Sequence, residues 1–199
     1  MDKKQKTSVS FYSGSDYLII NNLLWGNKVG VENSVKILDK EHRAMLQEAL
    51  DGIREFSPDD FAEYKRRING DAIPIAVGDI RNIMSAMRPS KNSMTVYRNV
   101  CMSNALVKCV IGDKILHKGF VSTSSVVHEK SFGKDPEFLR YDIFVPEGTP
   151  CIHVDADYRK EHEIILPQCV LEVTGLHKKI INLKYLSQLD IDELVKTWC

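Results

Sequence analysis

Three short groups of residues in the second half of the chain carry side chains that could do chemistry. Glu161-His162-Glu163 places two carboxylates two residues apart, Ser122-Thr123-Ser124-Ser125 is a run of hydroxyls, and Arg98 ends the strand-like segment Thr95-Val96-Tyr97-Arg98. Paired carboxylates can divide the work of activating a nucleophile and stabilising a positively charged sugar. A hydroxyl can orient a carboxylate, and a guanidinium suits a bidentate grip on phosphate oxygens.

Each group also has an ordinary structural interpretation when it is taken alone. A strand-end arginine such as Arg98 is commonly a surface ion pair, and serine-rich strand exits are common. The glutamate pair would then be part of a solvated charged loop. The order of the groups along the chain therefore has to decide between the two interpretations.

From about residue 14 to residue 88 the apolar spacing is helical and predicts a small stack of helices. The clearest stripe consists of Leu46, Ala49, Leu50 and Ile53. Ser57-Pro58-Asp59-Asp60 has the cap, first-turn proline and acids of a helix start, and Asn69-Gly70 supplies a stop. Gly78-Asp79 is predicted to open a further helix, which ends before Arg88-Pro89.

After Pro89 the apolar runs become short and predict a mostly antiparallel sheet. The predicted strands are Met94 to Val100, Phe120 to Ser124, Leu139 to Val145, Ile164 to Leu166 and Cys169 to Val173. Residues 146–150 form a strong turn, and residues 187–198 are predicted to form a C-terminal helix. The fold class is α+β, with one domain over residues 1–199: a helical part (14–88), a β-rich catalytic core (89–185) and that helix.

The order of these motifs resembles that of a known enzyme family over about residues 80 to 176. An aromatic-arginine strand end, a Phe-x-Ser-Thr-Ser strand, a Pro-x-Gly turn between strands and Glu-x-Glu before an apolar run follow one another. This series is similar to that of the bacterial and phage mono-ADP-ribosyltransferases with the arginine, Ser-Thr-Ser, Glu-x-Glu signature. The resemblance implies an ADP-ribosyltransferase-type antiparallel core with an N-terminal helical lobe. It also implies NAD+ as co-substrate.

The resemblance assigns roles to the first two motifs. Arg98 would anchor the NAD+ phosphates, and the backbone at Asn99, where many relatives have glycine, would hold the nicotinamide amide. That backbone contact survives the change if φ at Asn99 is negative. Ser122 would hold Glu163 and approach the nicotinamide ribose, while Thr123 and Ser124 complete the cofactor-binding strand.

The resemblance also assigns the acidic motif and two aromatic residues. Glu163 would hydrogen-bond the ribose 2′-hydroxyl and favour the oxocarbenium-like state as nicotinamide leaves. Glu161 would pair with an acceptor guanidinium, which makes arginine the predicted acceptor. Phe132 could stack on the nicotinamide, and Tyr158 could contact the target protein. Strand alternation would aim both glutamates into one cleft and turn His162 away from them.

Composition limits the partners. Acidic and basic residues number 27 each, so no global field favours nucleic acid, and we expect a target protein bearing an acceptor arginine. The run Lys65-Arg66-Arg67 is interpreted as one solvated helix face. Five cysteines without paired spacing predict reduced thiols and no metal site. We expect a monomer without a membrane span or cleavable signal, which acts in the cytosol; secretion or injection into a target cell is an open route to it.

Two other functions remain open at the level of sequence. An NAD+ glycohydrolase would let water capture the same oxocarbenium, although hydrolysis does not need Glu161. A catalytically inactive module of the same fold would bind without reacting, although Arg98, Ser122, Glu161 and Glu163 are all present.

Overall fold

The chain divides into a helical unit, residues 1–85, and a sheet unit that begins at residue 86. The computed structural model describes residues 1–101, 108–127, 138–154 and 162–190. The division lies close to the predicted boundary at residue 88, and the fold class is α+β as predicted. The single domain over residues 1–199 stays a prediction.

Five α-helices and one π-helical turn form the described helical unit. The elements are α1 (Lys3–Phe11), a π-helical turn (Tyr12–Asp16), α2 (Tyr17–Trp25), α3 (Lys28–Leu50), α4 (Pro58–Asn69) and α5 (Ala72–Ala86). Helix α1 begins well before residue 14 because Asp2 forms a capping box with Gln5. The predicted start at Ser57 is confirmed, since its side chain accepts the N–H of Asp60 and Pro58 occupies the first turn. None of the described helices is long and apolar enough to cross a membrane.

Two details of the helical prediction are wrong. Helix α5 begins at Ala72 instead of Gly78-Asp79, because Asp71 Oδ1 accepts the N–H of Ile73 at 3.1 Å and a proline sits in the first turn. Helix α3 does have the predicted 3.6-residue period, but its buried positions include Val31 and Leu38, and Leu50 and Ile53 of the predicted stripe are exposed.

The interpretation of Lys65-Arg66-Arg67 as one solvated face is also wrong for Arg67. Only 1% of its side chain is exposed, and its guanidinium contacts Asp16 and lies 2.8 Å from Asp79 Oδ2. His42 Nε2 approaches Asp16 Oδ1 to 2.9 Å. Burial alone would raise the pKa of Asp16, but the His42 hydrogen bond and the Arg67 charge hold it below its ordinary value. Charged residues thus replace part of the apolar core of the helical unit.

The sheet unit contains nine strands among its described residues. They are β1 (Arg88–Pro89), β2 (Met94–Cys101), β3 (Lys114–His117), β4 (Val121–Ser124), β5 (Phe138–Val145), β6 (Pro150–His153), β7 (Glu163–Leu166), β8 (Cys169–His177) and β9 (Ile180–Gln188). Their order in the sheet is β1-β6-β7-β4-β2-β5-β9-β8-β3. The pairs are antiparallel except β5 with β9, so the mostly antiparallel prediction is confirmed.

Strand alternation builds the core of the sheet unit. The buried side chains of this core come from β2, β4, β5, β7, β8 and β9. They include Val96, Val121, Tyr141, Ile143, Ile164, Leu166, Leu171 and Leu183. The prediction of a C-terminal helix is wrong for Ser187 and Gln188, because these two residues are the end of β9. Residues 191–198 of that predicted helix lie outside the described residues.

Candidate active site

Strands β4 and β7 place the serine motif beside the second glutamate. In their antiparallel register Ser124 lies opposite Glu163 and Ser122 lies opposite Ile165. Residues directly opposite each other, and residues two apart on a strand, share a face, so Ser122, Ser124 and Glu163 point to one side. The Ser122 hydroxyl donates a hydrogen bond of 2.6 Å to Glu163 Oε1. The two residues that sequence analysis paired are therefore in direct contact.

Thr123 has a structural contact in place of the predicted ligand contact. Its side chain is buried on the opposite face of β4, because side chains alternate along the strand. Its hydroxyl donates a 2.6 Å hydrogen bond to the main-chain carbonyl of Ile164 on β7. The assignment of Thr123 to cofactor binding is therefore corrected: the residue fastens β4 to β7 behind the site.

Arg98 on β2 reaches the same serine through the main chain. Its Nη1 donates a 3.0 Å hydrogen bond to the carbonyl oxygen of Ser122. Strands β2 and β4 pair through Tyr97 and Ser124, so Tyr97 occupies the position directly across from the serine motif. Two hydrogen bonds thus connect Arg98 to Glu163 through Ser122. Arg98 bonds the main-chain carbonyl of Ser122, and the hydroxyl of Ser122 bonds the Glu163 carboxylate.

The hydrogen bonds of Arg98 leave one of its nitrogens without an acceptor among the described residues. Among the described residues no carboxylate forms an ion pair with it, and its Nε is buried without a hydrogen-bond partner. A buried guanidinium N–H without an acceptor costs free energy unless a ligand supplies one. A phosphate oxygen is a suitable acceptor, because guanidinium and phosphate match in geometry and charge. The residues present therefore fit the phosphates of NAD+.

Two neighbours of Arg98 were not predicted from the sequence. Tyr141 is the cross-strand partner of Arg98 on β5. His117 at the end of β3 lies close enough to Arg98 for the guanidinium charge to affect its pKa. Burial, with the Arg98 charge, lowers the pKa of His117 to about 4, while its Nδ1 lies 2.9 Å from the Gly119 carbonyl. A carbonyl oxygen only accepts, so Nδ1 carries the proton and the ring is neutral.

The pKa of Tyr141, the second of these neighbours, is also shifted. Burial raises it to about 12, with a contribution from nearby Cys109 and an opposing one from Arg98. Two of the described neighbours of the Arg98 guanidinium, His117 and Tyr141, are thus neutral. The sequence offers a hint only for Tyr141, which lies two residues from both Leu139 and Ile143 and therefore shares the buried face of its strand with them.

Asn99, next to the arginine, satisfies the condition set by sequence analysis. Of the described residues other than glycine, only His162 and Lys178 have a positive φ. The backbone at Asn99 is therefore compatible with the contact that glycine makes in many relatives. Its side chain is exposed, which leaves room for a ligand beside the main chain.

The assumption that strand alternation continues through His162 is wrong. Strand β7 begins at Glu163, and His162 has a left-handed backbone with φ of 47°. A left-handed residue interrupts the pleat, so alternation cannot fix the relative directions of Glu161 and Glu163. His162 itself is exposed.

Three predicted site residues fall beyond the described ranges. Glu161, Tyr158 and Phe132 lie outside the described residues, and their roles stay predictions. No cluster of three or more His, Cys, Asp or Glu side chains suited to a metal ion occurs among the residues that the structure describes.

A family comparison covers nearly the whole chain. The model of the ADP-ribosyltransferase exoenzyme family matches residues 1–196. No sequence among the curated proteins matches the chain significantly. The match includes both the helical unit and the sheet unit.

Solved structures of bacterial ADP-ribosyltransferases share the fold. Vis toxin from Vibrio splendidus, in its complex with agmatine, has a TM-score of 0.54 at 20% identity, over 94% of this chain and 75% of Vis. Plx2a toxin from Paenibacillus larvae has a TM-score of 0.57 at 17% identity, with coverages of 94% and 88%. An ADP-ribosyltransferase from Clostridium botulinum has a TM-score of 0.56 at 13% identity, with coverages of 94% and 88%. At these identities the likeness concerns the fold.

Proposed function

The chain belongs to the ADP-ribosyltransferase exoenzyme family, and we propose that it transfers ADP-ribose from NAD+ to an arginine side chain of a target protein. The observation that carries the proposal is the 2.6 Å hydrogen bond from Ser122 to Glu163, with Arg98 bound to the carbonyl of the same serine. Three residue types that the reaction requires are joined by two hydrogen bonds. An accidental surface cluster would have no reason to leave Arg98 without a carboxylate partner among the described residues.

Arg98 binds the donor in this proposal. No described residue accepts a hydrogen bond from its Nε, and one of its terminal nitrogens donates to the Ser122 carbonyl, so the guanidinium is pre-oriented toward an incoming phosphate. His117 beside it is neutral, so the positive charge offered to the phosphate at this position is that of Arg98. The Asn99 main chain receives the nicotinamide amide, because its φ is compatible with the approach of that group.

Glu163 supports cleavage of the bond between nicotinamide and ribose. The Ser122 hydroxyl occupies Oε1, and none of the described residues hydrogen-bonds Oε2. Oε2 accepts a hydrogen bond from the ribose 2′-hydroxyl and places negative charge beside the sugar. Nicotinamide leaves with the electron pair of the broken carbon–nitrogen bond, and the sugar carbon develops positive charge that the carboxylate stabilises.

Glu161 supports capture of the sugar by the acceptor. A guanidine nitrogen forms a new bond to the same carbon and loses one proton, for which the Glu161 carboxylate is the base in this proposal. The choice of arginine depends on glutamate at this position. The binding of agmatine, which carries a guanidinium, by the structural relative Vis supports the same class of acceptor. Because the relatives Vis and Plx2a are toxins, the target protein of this chain is proposed to belong to another cell.

Transfer of labelled ADP-ribose to proteins of a cell lysate tests the proposal. The variants Glu163→Gln and Glu161→Gln change one carboxylate each without changing its size. Glu147→Gln is the matched control, because Glu147 is an exposed glutamate in the turn between β5 and β6.

Each variant has a distinct expected result. Glu163→Gln loses both transfer and NAD+ cleavage, Glu161→Gln loses transfer but keeps some cleavage, and Glu147→Gln labels as wild type does. Nicotinamide release without labelling in the wild type would identify an NAD+ glycohydrolase. A wild type that binds NAD+ but neither labels nor cleaves would be an inactive binding module.

A further inference from the structure

The helical unit contains a cavity of about 290 Å³ beside the buried charges of Asp16, His42 and Arg67. These three residues line it together with aliphatic side chains, which include Ile19, Val35, Leu38 and Ile75. Two exposed carboxylates, Asp39 and Asp71, line it as well. The volume lies at the lower end of the range for ligand sites, so a small molecule fits and a dinucleotide does not. None of these residues belongs to the candidate active site on the sheet.

The ring of His42 has one nitrogen available to a molecule in the cavity. Its Nε2 lies 2.9 Å from Asp16 Oδ1 and 3.1 Å from Ser15 Oγ, and its side chain is only 5% exposed. The carboxylate only accepts hydrogen bonds, so Nε2 carries a proton, and in the neutral ring Nδ1 is then an acceptor. No described residue donates to Nδ1. Since Phe11 and Tyr64 pack against the ring edge-on, the cavity is its open side.

The buried charges beside the cavity are not balanced. Asp16 and Asp79 share the guanidinium of Arg67, which contacts Asp16 and lies 2.8 Å from Asp79 Oδ2. Glu63 lies 2.8 Å from Arg67 Nε, but it also pairs with an exposed arginine at 2.6 Å. With His42 neutral, two buried carboxylates therefore face one guanidinium, and such an excess of charge is unfavourable away from water. A cation in the cavity would offset it.

We propose that this cavity binds a small organic cation, an alkylammonium or alkylguanidinium, whose N–H groups bond His42 Nδ1 and whose apolar stem packs on the aliphatic lining. An anion is disfavoured, because three carboxylates and one guanidinium line the cavity. The cation is either a free molecule or the side chain of a lysine or arginine on another protein. This inference does not rest on the proposed function, since the cavity lies in the helical unit and takes no part in the transfer reaction.

Calorimetric titration of the full chain without NAD+ tests the inference. The probes are butylammonium, butanol and butyrate, which have similar sizes but different charges. Butylammonium is expected to bind with a Kd on the order of 1 mM, which is within reach of so small a ligand, and at least about tenfold tighter than the other two. A lysine peptide with blocked ends is the fourth probe. Binding of this peptide as well identifies a protein side chain as the ligand, and binding of butylammonium alone identifies a free molecule.

Four variants locate the site. Val35→Phe adds volume to the lining of the cavity without changing the charges, and His42→Phe keeps the aromatic ring but removes Nδ1. Each should weaken butylammonium binding about tenfold or more. Asp71→Asn should weaken it about threefold, because Asp71 forms no ion pair with a described residue and asparagine still caps α5. Asp51→Asn is the matched control, since Asp51 is exposed at the end of α3 and does not line the cavity.

Thermal unfolding checks that each variant folds, and Val35→Phe with Asp71→Asn keeps the test valid if His42→Phe does not. The inference is overturned if neither butylammonium nor the lysine peptide binds, or if butanol or butyrate binds as tightly. It is overturned equally if Val35→Phe and Asp71→Asn keep the wild-type affinity. Failure of ADP-ribosyl transfer overturns the proposed function alone, because this binding is measured without NAD+.

Discussion

Removal of the Ser122 hydroxyl is the perturbation whose effect follows most directly from the geometry of the site. Ser122→Ala deletes a hydrogen bond of 2.6 Å to Glu163 Oε1 and leaves the main-chain carbonyl that binds Arg98. The substitution therefore separates the orientation of the carboxylate from the binding of the donor phosphates. NAD+ cleavage should slow, while the affinity for NAD+ should change little.

The expected size comes from the length and charge of this bond. At 2.6 Å it has the length of a hydroxyl bound to a charged carboxylate, and such bonds contribute about 1.5–3 kcal/mol. Both residues are only partly buried, so water can replace the lost donor and the lower end applies. A loss of about 1.5 kcal/mol corresponds to a kcat roughly tenfold lower.

Steady-state nicotinamide release gives kcat and KM for NAD+ in the same experiment. Ser90→Ala is the matched control: Ser90 is buried in the same unit, and its hydroxyl lies 3.1 Å from the Pro146 carbonyl instead of a carboxylate. The reasoning is refuted if Ser122→Ala keeps the wild-type kcat. It is equally refuted if the two alanine variants lose activity to the same extent.

Three further predictions concern stability. Thr123→Val should lower the free energy of unfolding by about 1 kcal/mol, because the hydrogen bond to β7 is lost. An unchanged Tm with a raised KM for NAD+ would instead assign Thr123 to cofactor binding. Arg67→Met should lower the free energy of unfolding in urea by about 3–5 kcal/mol, because it leaves buried carboxylates unpaired. A loss no larger than that caused by Lys65→Met would contradict the buried network. The pKa of His117 falls to about 4 in the folded protein, so the free energy of unfolding should decrease by up to about 1.4 kcal/mol per pH unit as the pH falls from about 6.5 to 4. His117→Gln should flatten that slope. Identical slopes in both proteins would exclude His117 as the cause.

The sequence predicts the site well where strand periodicity and motif order operate locally. Ser122 and Glu163 could be paired because each lies on a short apolar strand and the two motifs follow a familiar order. The serine at the start of α4 could be recognised because its cap, proline and acid are adjacent in the chain. These predictions need no knowledge of distant contacts.

The errors arise where distant residues override local pattern. Arg67 looks like part of a solvated basic run, but carboxylates contributed by Asp16 and Asp79 allow it to be buried. The left-handed conformation of His162 depends on bonds from strands that are remote in sequence. The alternation rule failed there because it assumes an extended backbone. The sequence Glu-His-Glu does not by itself indicate a left-handed residue at its centre.

The products formed from NAD+ and agmatine test the central claim most directly. Mass spectrometry of the reaction should show ADP-ribosyl-agmatine and nicotinamide in matching amounts with the wild type, and neither with Glu163→Gln. Free ADP-ribose with no agmatine adduct, or an adduct that persists in Glu163→Gln, would contradict an arginine-directed transferase that works through this carboxylate.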